Sequence, residues 1–211
     1  MNLKPAVLFS VFVFLIIQES PAQVKYSRVN VDTQLKDTFS FDQQWDYSWD
    51  IFKDDSTGEF IKASDQPLVP ADTAHLFFTA KCSTNVQGGY EIRYCFADKD
   101  GSDIVLTFSD GLPGYASEYY IYIKGDSFSF KPRTIYPAPP MRGEKTSYRI
   151  TKQKLVLNRD VYSEGEIIVG YVDISFLEIV SAPGHKTVQH PRYLRGYIKT
   201  PLKNKNNPGT Q

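Results

Sequence analysis

Cysteine and histidine are scarce in this chain, at two and three of 211 residues, and each scarcity argues against a class of chemistry. In an oxidising compartment two lone cysteines are expected to pair, and a thiol held in a Cys82–Cys95 disulfide cannot act as a nucleophile beside His75. His185 and His190 stand five apart, which does not suit a helical metal pair, and no cysteine is left to join them. The G-x-S-x-G elbow, the phosphate-cradling P-loop and G-x-G-x-x-G are all missing. Helical spacing is sustained nowhere past the N-terminus, and no later apolar run is long enough to span a bilayer.

The N-terminus, MNLKPAVLFSVFVFLIIQESPAQ, sets Lys4 ahead of an almost unbroken apolar run from Ala6 to Ile17, with small residues at Ser20 and Ala22. This is the pattern of a cleavable signal peptide over residues 1–22, and its apolar part is too short for a retained anchor. The mature chain is expected to be secreted or periplasmic, and long enough to bury a substantial core in one domain.

Formal charge is zero, yet the signs are segregated. Residues 32–72 hold ten acids and three lysines, whereas residues 179–211 hold six basic residues and no acid. The basic residues from Lys186 to Lys205 are spread among Pro, Gly and Asn without an amphipathic period. Residues 185–211 are therefore expected to form a basic, partly disordered tail, and nucleic acid is not an expected partner.

From Thr38 onward, Tyr, Phe, Val, Ile and Thr alternate with polar residues in short bursts broken by Gly, Pro, Asp and Asn, which is the period of strands and turns. Strands are expected near 38–42, 45–53, 59–63, 75–84, 90–97, 103–109, 118–124, 127–131, 147–157 and 167–179. The expected fold over residues 23–184 is all-β, an antiparallel β-sandwich of immunoglobulin-like or jelly-roll-like type. Gly88-Gly89, Lys99-Asp100-Gly101 and Gly125-Asp126 supply hairpin turns.

A two-residue loop at Gly88-Gly89 would set Cys82 opposite Cys95, within disulfide reach. The apolar pattern conflicts with that register, since Ile92, Tyr94 and Phe96 then point away from Cys95's face. A one-residue bulge would reconcile the faces and separate the sulfurs. Compartment and spacing favour the disulfide.

Near the C-terminus, Tyr162-Ser-Glu-Gly165-Glu166 lies between two strands. It resembles the Tyr-x-x-Gly-Glu turn of immunoglobulin-like sandwiches, including macroglobulin-type and bacterial surface domains. That resemblance covers about 20 residues, implies the fold alone and carries no chemistry.

Two stretches are candidate sites. In CFADKDGSD, residues 95–103, the residues Asp98, Asp100 and Asp103 could edge a calcium site. An EF-hand pattern fails, because its sixth position is Asp103 rather than glycine, its twelfth is Ser109, and its flanks are strands. A plain Asp/Gly hairpin turn is preferred, with no cofactor expected. In WDYSWDIF, Trp45, Tyr47 and Trp49 share one face of a strand, either as core anchors, which is preferred, or as a sugar platform. Tyr120, Tyr122, Phe128 and Phe130 form a second aromatic row. The function expected is non-catalytic binding or structural interaction with a protein or glycan partner. The alternative is a carbohydrate-active hydrolase using two carboxylates.

Overall fold

The structure, a computed structural model, describes residues 24–35, 51–64, 66–74, 76–86, 91–109, 117–134 and 143–204. Residues 1–22, expected to be a signal peptide, together with Trp45, Tyr47, Trp49 and the Gly88-Gly89 stretch, lie outside those residues. What is described is all-β: one large mixed sheet nearly closed into a barrel, with a small two-stranded sheet and one short helix beside it.

In chain order the strands are β1 (Tyr26–Arg28), β2 (Asn30–Val31), β3 (Ile51–Lys53), β4 (Phe60–Lys62), β5 (Ala80–Thr84), β6 (Glu91–Ile92) and β7 (Tyr94–Asp100). They continue with β8 (Asp103–Ser109), β9 (Ser117–Lys124), β10 (Ser127–Thr134), β11 (Lys145–Leu157), β12 (Ile167–Ser181) and β13 (Val188–Asn204). Helix α1 (Pro70–Ala74) follows the β3–β4 pair. The large sheet runs β1-β10-β9-β8-β7-β13-β12-β11-β2, with β5 on β13 and β6 on β5. Because β1 and β2 are successive parts of one extended segment, pairing β1 with β10 and β2 with β11 brings the two ends of the sheet together. At the opposite corner β13 pairs antiparallel with β12 and β5, then parallel with β7 through Leu202–Asn204.

Strand β13 corrects the expected tail. Residues 188–204 form the longest strand described, and its inward residues Leu194, Ile198 and Leu202 are in the core. Pro191 and Pro201 conceal this in the sequence, since proline is excluded from doubly paired strand positions. Here β5 covers only Leu194–Ile198 and β7 only Leu202–Asn204, so both prolines fall where β13 has a strand neighbour on one side.

The disulfide is also corrected, since Cys82 and Cys95 are separate, buried thiols. Cys82 pairs in register with Ile92, while Thr79 meets Cys95. The shift is already present at Ser83–Glu91 and Cys82–Ile92, three positions from the register a two-residue Gly88-Gly89 loop would give, and an irregularity follows at Arg93, whose carbonyl accepts from the N–H groups of both Thr79 and Ala80, at 3.0 and 2.9 Å. That step puts Ile92 and Cys95 on the same inward face and turns the chain from β6 into β7. Burial drives the Cys95 thiol pKa well up.

Inside the ring, alternate residues of each strand converge. Tyr119, Phe130 and Phe176 meet at ring-centre distances of 5.9, 5.5 and 6.2 Å. The Tyr119 hydroxyl is matched by Thr84 Oγ1 at 3.0 Å, as a buried phenol requires.

Candidate functional site

Strand β9 alternates faces, so Tyr119, Ile121 and Ile123 enter the core while Glu118, Tyr120, Tyr122 and Lys124 face outward. The second aromatic row is thereby split, with Tyr120 and Tyr122 outside and Phe128 and Phe130 inside. Tyr120 and Tyr122 lie nearly parallel with ring centres 6.3 Å apart. Tyr120 donates to Glu118 Oε2 at 2.6 Å, and that hydrogen bond, with partial burial, raises the phenol's pKa. Arg133 reaches the same oxygen at 3.3 Å from β10, fixing the outer end of the row.

Register carries the row across the sheet, because Tyr122 faces Ser129 and Ser129 faces Tyr26. Beyond β1 the outer surface drops into a groove of about 530 Å³. It opens at the seam between β10 and β11, where β10 beyond Ser129 and β11 before Val156 have no strand partner on that side among the described residues. The walls are Tyr26, Tyr122, Phe130, Pro132, Tyr148 and Ile150. Lys25, Lys124 and Lys131 stand around them with Ser129 and Ser147, and the lining includes no carboxylate. Lys124 is engaged by Asp103 at 3.2 Å, which holds its pKa up.

Besides the β2–β11 pairing, a side chain on β11 reaches across the seam to the segment of β1. Gln153 Nε2 donates to the Lys25 carbonyl and to Ser27 Oγ, both at 2.9 Å.

The aspartates of the CFADKDGSD turn separate. Asp98 lies opposite Val105 and beside Lys203, Asp100 faces Asp103 across the hairpin mouth, and Asp103 takes Lys124. Gly101, at φ 65°, makes the turn. Among the described residues no group of three or more His, Cys, Asp or Glu side chains is placed to hold a metal ion.

At Tyr162-Ser-Glu-Gly165-Glu166 the tyrosine is buried, which raises its pKa to about 12. Its hydroxyl donates to Asn158 Oδ1 at 2.6 Å and accepts from the Arg159 N–H at 3.1 Å. The Glu166 carboxylate accepts from the Ser163 N–H at 2.7 Å and pairs with Arg159 at 2.8 Å, which lowers its pKa. Asp54 and Asp173 also have lowered values. Glu178, wholly buried, is joined to Arg192 at 2.9 Å.

No protein-family model matches the chain, and comparison with curated proteins and with solved structures finds no match. Among the described residues no helix is long and apolar enough to cross a membrane. The groove residues Lys25, Lys131 and Tyr148 carry no local sequence signal, because Lys25 comes from a segment more than a hundred positions before β10 and β11. Only the Tyr120, Tyr122 alternation pointed toward this surface.

Proposed function

We propose that this is an exported, non-catalytic binding protein whose seam groove receives an extended, acidic segment of a protein partner. The observation that carries the reading is the groove itself: aromatic walls, three lysines, no carboxylate, and a neighbouring strand edge on β11 without a described partner. An added strand would use that edge for main-chain hydrogen bonds and the aromatic walls for side-chain selection. Pro132 cannot donate from the opposite wall, which favours β11 as the pairing edge. Export rests on residues 1–22. A two-carboxylate hydrolase finds less support, since among the described residues the acids with displaced pKa values, Asp54, Glu166 and Asp173, are lowered, whereas a general acid needs a raised value.

We read the fold more finely as an immunoglobulin-like sandwich drawn into a ring. The support is the Tyr162 hydroxyl bonded back to the backbone three residues upstream, a feature of such domains.

Amide exchange on the mature protein, with and without a synthetic peptide alternating Glu with Val and Tyr, tests the groove. The expected result is slowed exchange at Ser147–Ile150 and about tenfold weaker binding after Lys25→Glu/Lys131→Glu. Unchanged exchange, or equal binding of a peptide with Lys in place of Glu, would refute the reading. Protection by a neutral oligosaccharide instead would move the groove to a glycan partner.

A further inference from the structure

The outward face of β11, β12, β13 and β5 gathers cations that the sequence scatters over more than a hundred positions. Lys145 and Arg149 lie opposite Ser181 and Leu177 on β12, and Lys152 and Lys154 lie opposite Ser175 and Asp173. The register shift between Ile150 and Lys152 is what keeps the four together, because without it Lys152 and Lys154 would turn toward the core. Arg195 follows on β13 opposite Asp173, and Lys81 on β5 opposite Tyr197. The outward positions of these four strands carry one acid, Asp173, held between Lys152 at 2.6 Å and Arg195 at 3.0 Å.

Lys145 to Lys154 spans about 30 Å of extended strand, so the charge is a line rather than a point. A small anion would engage one or two of these groups; only a polymer with repeated negative charge engages the row. At the centre of the face Tyr171 and Tyr197 meet at 5.0 Å, supplying ring surface and hydroxyls among the cations. We propose that this face binds an extended anionic polysaccharide bearing sulfate or uronate groups on successive sugars. The face and the seam groove share strand β11 but no lysine or arginine, so charge variants at one test it apart from the other.

Titration of the mature protein with size-graded heparin fragments tests it, with unsulfated dextran, single-stranded DNA and phosphatidylserine vesicles as the other arms. Affinity is expected to rise with fragment length until the row is spanned, and to fall steeply with salt. Arg149 and Lys154 are exposed, so Arg149→Ala/Lys154→Ala keeps the fold, which its melting curve checks, and weakens binding about tenfold. Lys25→Ala/Lys131→Ala at the groove leaves heparin binding unchanged. The proposal is overturned if the face variant binds like the parent, if length has no effect, or if DNA or vesicles bind as tightly as heparin.

Discussion

Asp173 owes its charge state to two neighbours. Its partial burial would by itself raise the pKa, and hydrogen bonds from Lys152 and Arg195 outweigh that and lower it below the ordinary aspartate value of 3.8. A depressed carboxyl pKa contributes stability that is complete above the unfolded value and is lost as pH falls through the folded one. Both cations are half exposed, so the contribution is about 1 kcal/mol. Asp173→Asn should therefore lower the melting temperature by about 2–4 °C at neutral pH, and that difference should close progressively below about pH 4. A gap independent of pH would mean that packing, not charge, is lost. The ion triad was not legible in the sequence, whereas the thiols' separation was half legible, in the apolar faces that conflict with a Cys82–Cys95 register. Lys152 reaches Asp173 only because of a bulge, and Cys82 misses Cys95 because the β5–β6 register sets it opposite Ile92.

Among the elements, β8 is found at Asp103–Ser109, where alternation and the Asp-Gly turn placed it, because one hairpin settles both its ends. β13 was hidden by residues chosen for its changing neighbours. Its Gly196 meets β5 so closely that an added Cβ would lie 2.1 Å from the Lys81 carbonyl oxygen and 2.5 Å from Cys82 Cα. The backbone there has φ 152°, which side chains rarely adopt. Gly196→Ala should cost more than about 3 kcal/mol in urea unfolding. A loss below about 1 kcal/mol would show that β5 can move away from β13 without consequence.

For the whole molecule, alternation announced an all-β chain but not its closure. The contacts that join the ends belong to strands of two and three residues, too short to show a period. Closure should respond to Gln153→Ala, which removes both bonds to the segment of β1 and costs about 1 kcal/mol. Amide exchange at Ser27–Val31 and Ser127–Ser129 should quicken while β8 stays protected. Equal exchange in variant and parent would place the closing interaction elsewhere.

The central place of β13 has a consequence for when the molecule can form. It is the last of the described strands in chain order, yet it joins β12, β5 and β7, so the ring has no continuous path until residue 204 is present. Pairings such as Cys82 with Gly196 span more than a hundred positions, which makes assembly slow and late. A chain still emerging has no completed ring, so the first strands made must wait for the last before their edges are covered.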